Sequence, residues 1–326
     1  MKKKMALILL LIGVLTSYGA FELFTETHIP RSPASMPEHY ESLTACEKQD
    51  VLWEKIISSR HQELPQYSKF GIIQLFKMSR QAIAEKGSLH SDFAPPGWKK
   101  YLHRRGVVAK VKLVPVNNLY SGVFKGGECS LLRLSLTYRP NGSKPVAPGL
   151  AFKVLRSGAP SANVSALVSL DGQDKDFNFF KHPMSNIVPV VDKLGQNLVH
   201  RIFRKVSGYP EELDVSDMAS IDAQGKKTED VKSPRQLFFV PAGPTFSSDE
   251  HDVREDLLTI AEGTTVYHLY ALKDNYRNFN YADYKQEDVE KFVKDSIHVA
   301  DIVTTSEFVA SEFGDEGIFF RHQLRP

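Results

Sequence analysis

The sequence has few cysteines and none of the metal-ligand spacings that define a familiar metal motif. Cys46 and Cys129 are the two cysteines in 326 residues. No Cys/His cluster has the spacing of a structural zinc site, and the His-Glu-x-x-His motif of zinc proteases does not occur. In an oxidising compartment the two cysteines can form one disulfide, and two buried free thiols are the alternative.

The sequence also lacks a surplus of charge of one sign. Its net charge is +2, and this includes Lys2, Lys3 and Lys4 close to the N-terminus. Subtracting these three charges from +2 leaves about −1. We therefore expect no electrostatic attraction to nucleic acid.

Residues 1–19 have the pattern of a signal peptide. After the basic start, an apolar run extends over 5–15, which is too short to cross a bilayer comfortably. Ser17 and Gly19 are small residues at the −3 and −1 positions of a cleavage before Ala20. The pattern predicts a periplasmic or secreted protein with no stable membrane span after cleavage, and an uncleaved N-terminal anchor is the alternative.

Residues 20–97 are predicted to form a linker followed by a helical N-terminal arm. The segment 25–36 is rich in proline and serine, which is typical of a linker. Apolar residues then recur at spacings of three and four over 51–57 and again over 72–84, which predicts two helices. We interpret their apolar stripes as packing surface.

Residues 98–326 are predicted to form a mainly β domain with inserted helices, which makes the chain an α+β protein. Val107, Ala109, Val111 and Leu113 alternate with Val108, Lys110 and Lys112, as the two faces of a strand do. The later predicted strands are 131–137, 150–155, 166–170, 237–240, 265–272, 297–306 and 318–322. Helices are predicted over 190–209 and 252–261, and a polar surface loop over 214–232. Short strands in succession indicate a barrel or a sandwich.

The strand sequences resemble those of the haem catalase superfamily, in a divergent form. The matching segments are Arg-Gly-Val-Val-Ala-Lys over 105–110, Arg-Leu-Ser over 133–135, Gly-Leu-Ala-Phe-Lys-Val-Leu over 149–155, Phe-Phe at 179–180 and Val-Ala-Asp-Ile-Val-Thr-Thr over 299–305. The resemblance implies a closed antiparallel barrel of about eight strands, preceded by the helical arm. A closed barrel has no exposed sheet edge.

The resemblance also implies haem as a cofactor. Arg105 and Arg133 would contact its propionates or line its pocket, a role that suits arginine because a guanidinium pairs well with a carboxylate. Tyr281 would be the axial ligand of the iron, as the tyrosine of an Arg-x-Phe-x-Tyr-x-Asp motif. Gln173 would replace the distal amide. The alternatives are an internal ion pair or a solvent-facing charge for each arginine, a surface loop around Tyr281 and a solvated Gln173 beside a hairpin turn.

At the position of the family's distal histidine this chain has Val108, which can neither accept nor donate a proton. The expected function is therefore that of an exported, possible haem protein that acts on hydroperoxides without efficient catalase activity. As an enzyme it would be a haem-dependent oxidoreductase or a hydroperoxide isomerase. The alternatives are a haem-free barrel that binds an apolar small molecule and a non-catalytic structural or interaction protein.

Overall fold

A computed structural model describes residues 36–66, 68–69, 92–94, 100, 103–116, 127–138, 145–158, 161–167, 179–180, 182–186, 237–243, 253–272, 291–294 and 296–320. Four predicted segments lie outside these residues: the signal peptide 1–19, the helix 72–84, the polar loop 214–232 and the helix 190–209. The helix predicted over 51–57 is confirmed as part of α1, Ala45–Ser58. The helix predicted over 252–261 is confirmed as the shorter α2, Val253–Leu258.

One sheet dominates the described residues, and the chain is β-rich as predicted. Its strands are β1 (Ser68–Lys69), β2 (Arg105–Pro115), β3 (Ser130–Tyr138), β4 (Pro145–Val154), β5 (Ala162–Leu167), β6 (Met184–Asn186), β7 (Leu237–Pro241), β8 (Thr265–Leu272) and β9 (Ser296–Thr304). Their order is β1-β3-β2-β9-β8-β7-β6-β5-β4, and β3 also pairs with β4. All pairings are antiparallel except that of β1 with β3.

The predicted closed, eight-stranded, catalase-like barrel with helical insertions is wrong in that form. Seven longer antiparallel strands, β2–β5 and β7–β9, make a curled half-barrel that is open and not a closed barrel. On the side between β5 and β7, the intervening strand is the three-residue β6, which makes two residue pairs with each neighbour. Helices are few among the described residues. Pattern alone does not distinguish a complete barrel from a sheet that curls without full strands on one side.

The concave face of the sheet holds the main hydrophobic core. Val107, Val111, Leu132 and Phe152 lie in it, as the period-2 alternation of the sequence predicts. The Phe239 ring contacts the Phe152 and Tyr267 rings edge to face, with centroids 6.2 and 6.3 Å away. The Tyr267 hydroxyl, buried among them, donates a hydrogen bond to the Phe179 carbonyl oxygen at 3.0 Å.

A second core covers the convex face of β2, β3 and β4. Helix α1 packs there with Leu52 and Ile56, and Val309, Ile318 and Phe320 lie in the same core. The helix begins at a capping box, in which Thr44 and Glu47 bond to each other's backbone N–H groups. A disulfide joins Cys46 in its first turn to Cys129 just before β3, with the Cα atoms 5.0 Å apart. The bond fixes the arm to the sheet.

The strand predicted over 318–322 is wrong within the described residues 318–320. Phe313–Gly317 forms a single π-type turn, and Ile318 makes an isolated bridge to Phe93. The apolar residues Ile318 and Phe320 are buried in the second core, so their hydrophobicity reflects packing rather than a strand. Among the helices of the described residues, none has the length and apolar character needed to cross a membrane.

Candidate metal centre

The structure describes two of the four predicted haem-contacting residues, Arg105 and Arg133, and Gln173 and Tyr281 lie outside the described residues. The two arginines converge on Asp315. Arg133 Nη2 donates to Asp315 Oδ1 at 2.7 Å, and Arg105 Nη1 lies 3.6 Å from Asp315 Oδ2. An internal carboxylate thus occupies the partner position that the resemblance gives to a haem propionate.

Two members of this ion cluster are almost completely buried, since Arg133 and Asp315 are 3% and 1% exposed, whereas the Arg105 side chain is 22% exposed. The backbone N–H of Gly106 also donates to Asp315 Oδ1, at 3.0 Å. The Lys100 amino group lies within hydrogen-bond reach of the Gly314 carbonyl oxygen, at 3.4 Å. Burial and the nearby Arg133 charge hold the pKa of Lys100 well below its usual range. Removing one partner of a buried ion pair is strongly destabilising, because the other charge is then left buried without compensation. We therefore assign the cluster a structural role.

Val108, at the position of the family's distal histidine, lies on the convex face of β2. It packs in the second core, and it is bridged to Val309 by a pair of backbone hydrogen bonds. His103 precedes the strand in a left-handed conformation, with a φ of 51°. Its Nδ1 lies 3.2 Å from the Ser135 carbonyl oxygen. Val108 is thus a core residue, and the described hydrogen bond of His103 is to a backbone carbonyl oxygen.

A different constellation lies on the convex face of β8 and β9. Asp301 Oδ1 is 2.6 Å from His268 Nδ1 and 2.8 Å from His298 Nε2. The ligand atoms of the three residues all lie within 4.8 Å of one another. The side chains of His268, His298 and Asp301 are 35%, 31% and 25% exposed, so water and ions reach them. We call these three residues the His–His–Asp cluster.

A β-bulge brings the cluster together. His298 and Asp301 are three residues apart, and in a regular strand they would point to opposite faces. Leu269 pairs with Ala300 and Tyr270 pairs with His298, so Val299 is an extra residue on β9. Val299 and Ala300 both point into the main core, and the residues on either side of them share the convex face. His268 faces them because it is the register partner of Asp301.

Apolar side chains flank the cluster on the neighbouring strands. Across four strands, one row of paired residues runs Val240, His268, Asp301 and Val114. A second row contains Phe238, Tyr270 and His298. The Tyr270 ring stacks on His298, with centroids 4.8 Å apart and an angle of 16° between the planes. This stacking restricts rotation of the His298 imidazole.

The donor set of the cluster suits a first-row divalent metal. Imidazole nitrogens and one carboxylate oxygen are ligands for Zn²⁺, Fe²⁺, Co²⁺ or Ni²⁺. With bonds of about 2.1 Å, tetrahedral ligand atoms stand roughly 3.4 Å apart. The present N···O distances of 2.6 and 2.8 Å require the rings to move outward by less than an ångström. Partly exposed side chains at a sheet surface permit such a movement.

Sequence reasoning missed the cluster because its spacing violates the strand period. His-x-x-Asp in a strand places its ends on opposite faces unless a bulge intervenes. The signal that was present is the apolar pair Val299-Ala300 between two polar residues, since two adjacent core residues in a strand indicate a bulge. The third ligand, His268, comes from a strand whose register no local pattern specifies.

Comparison with known proteins gives no similar chain: no protein-family model matches the sequence, and neither a curated protein nor a solved structure is significantly similar to it. Nothing in these comparisons links the chain to the catalase superfamily.

Proposed function

We propose that this protein binds one first-row divalent metal ion through His268, His298 and Asp301. The observation that carries the proposal is the convergence of three ligand atoms within 4.8 Å on one face, produced by the bulge at Val299. Bulges are frequent next to functional sites, where they re-aim a side chain. Without a metal, a single carboxylate oxygen accepts from both imidazoles, which holds the ligands near each other.

The metal would be open to an additional ligand. Structural zinc sites have four protein ligands, whereas catalytic sites have three and leave a position for water or substrate. The His–His–Asp cluster has three and is partly exposed to solvent. Two histidines and one carboxylate are also the set that holds non-haem iron with open positions. The cluster therefore fits a reactive or ligand-binding metal better than a structural one.

We also propose that the protein works in an exported compartment. The signal-like residues 1–19 support this, and the disulfide between Cys46 and Cys129 is typical of an oxidising environment. Expression with and without residues 1–19, followed by fractionation and N-terminal sequencing, tests it. An intact N-terminus in the cytoplasmic fraction would contradict export.

Metal binding is tested with the chain lacking residues 1–19 and purified without a histidine tag. Calorimetric titration with Zn²⁺ and Co²⁺ should give one site per chain, and Co²⁺ should give visible d–d absorption. Asp301→Asn and His268→Gln keep the approximate side-chain volumes and each replace a carboxylate or imidazole ligand with a neutral amide, which is a weaker ligand for these metals. Mutation of a residue that only hydrogen-bonds to a metal ligand lowers metal affinity about 10- to 100-fold. Since Asp301 and His268 would bind the metal directly, each variant should lose at least about 100-fold in affinity.

The matched control is His39→Asn. His39 is an exposed histidine outside the cluster, and asparagine tolerates its left-handed φ of 65°. The control should bind like the wild type. Equal affinities in the wild type, Asp301→Asn and His268→Gln would refute the site and leave the cluster as a hydrogen-bonded surface group.

Haem binding and action on hydroperoxides, which the catalase resemblance implies, stay a separate prediction. The proposed metal site neither requires nor excludes them. They depend on Tyr281 and Gln173, which lie outside the described residues.

A further inference from the structure

We infer that the proposed metal site takes a small organic anion with an apolar body, bound by its anionic head to the metal and by its body to Val114 and Val116. This inference rests on the proposed function. It names the class of molecule that would fill the open coordination position.

The first step concerns charge. A divalent metal bound by two neutral imidazoles and one carboxylate leaves the centre with one net positive charge. An anionic oxygen ligand is therefore favoured at the open position. Carboxylate and hydroxamate groups supply such an oxygen and suit the same metals as the protein ligands.

The second step concerns the surface beside the metal. Val114 is the register partner of Asp301, so both side chains lie on the convex face at adjacent strands. The Val116 backbone N–H donates to the Val299 carbonyl oxygen at 3.1 Å, which continues the pairing toward His298. Val116 shares the face of Val114, because they are two residues apart in an extended segment.

The third step concerns exposure. Val114 and Val116 are 38% and 47% exposed, and Ile57 on α1 is the remaining large exposed apolar residue of the described chain. Two of these three residues thus lie one strand from the metal ligands. Single exposed apolar side chains are ordinary, but adjacent ones beside open metal positions make a continuous surface for one ligand.

The opposite side of the cluster is already occupied. Phe238 is buried there beneath Val240, Tyr270 and residues of the helical segment 291–294. An apolar body extending from the metal would therefore lie over the two valines rather than over the aromatic side. A ring or a branched chain of four to six carbons matches the roughly 5–7 Å between neighbouring and alternate positions of a sheet.

The test uses the Co²⁺-loaded chain and two probes with the same head, acetohydroxamate and benzohydroxamate. Each is titrated while the d–d spectrum is recorded. Benzohydroxamate should bind about tenfold more tightly, because its ring removes part of the valine surface from water. The Val114→Thr/Val116→Thr double variant retains β-branched side chains and should lose most of that preference, with acetohydroxamate affinity unchanged.

Ile57→Thr is the control, since it removes the third exposed apolar side chain away from the cluster. It should keep the tenfold preference. Equal affinity of the two probes for the wild type would overturn the inference while leaving the metal site intact. A preference that survives in the double variant would also overturn it. If no Co²⁺ spectrum forms at all, the proposed function fails first and the inference fails with it.

Discussion

Removal of the Asp315 carboxylate should destabilise the protein more than any exposed charge substitution. Asp315→Ala deletes the acceptor of the Arg133 guanidinium and of the Gly106 backbone N–H. Arg133, which is 3% exposed, then remains buried beside Arg105 without its counter-ion. Breaking a buried pair from one side costs about 3–5 kcal/mol. Arg133 keeps its bonds to two backbone carbonyl oxygens, so we expect about 3 kcal/mol.

The assay is urea unfolding followed by circular dichroism, with the disulfide kept oxidised. With an m-value of roughly 3 kcal/mol/M, a loss of about 3 kcal/mol lowers the midpoint by about 1 M. The control is Glu307→Ala, which removes the partner of Arg60 in an ion pair that is 48% and 52% exposed. An exposed pair of this kind contributes at most about 1 kcal/mol.

A second variant separates a buried charge from general disruption. Arg133→Met in the Asp315→Ala background removes the uncompensated cation and should recover part of the lost stability, since apolar replacement of a buried pair is often tolerated. The reasoning would be refuted if Asp315→Ala lowered the urea midpoint by no more than the Glu307→Ala control does. Such a result would mean that water or another anion already compensates Arg133, and a ligand role for the arginines would regain support.

Three further predictions concern other groups. Cys46→Ser removes the bond to Cys129 and, for the 83-residue separation, should cost up to about 4.5 kcal/mol in urea unfolding; an unchanged midpoint would contradict this. Burial is the largest single influence on Asp92 and raises its pKa, but the Lys153 charge together with hydrogen bonds from Lys153, Ser161 and Tyr40 more than offsets burial and holds the pKa below its usual range. The stability it contributes is therefore complete above about pH 3.8 and lost below, and Lys153→Met should remove this acid limb from a pH series of urea midpoints. If haem binds through Tyr281, haemin added to the purified chain should give a Soret band that shifts in Tyr281→Phe, whereas an absent band would refute haem binding.

Much of the strand content follows from the sequence because it depends on local alternation. The faces assigned to Val107 and Val108 are the faces they occupy, one in the main core and one in the second core. The closure of the sheet could not be predicted in the same way. It depends on how far β5 and β7 are apart and on β6, whose three residues are too few to give a pattern.

The site was less predictable than the fold because its residues meet through tertiary structure. Arg105 and Arg133 were identified as functional candidates, yet their partner Asp315 is about 180 residues or more away in the chain. Their internal pairing was one of three interpretations, beside a haem contact and a solvent-facing charge, that a charge pattern cannot separate. The His–His–Asp cluster depends on the register of β8 against β9, which is set by packing on the concave face rather than by its polar residues.

The pairing of β8 with β9 contains two β-bulges, one on each strand, and the second bulge reverses the register shift that the first one introduces. Thr265 pairs with Val303 and Tyr267 with Ile302, so Val266 is an extra residue on β8, just as Val299 is on β9. The two insertions are opposite in effect, and three residue pairs between them run one residue out of step with both flanks. A chain could therefore gain or lose this arrangement of polar residues by paired single-residue insertions, while every other strand of the sheet kept its partner and its inward face.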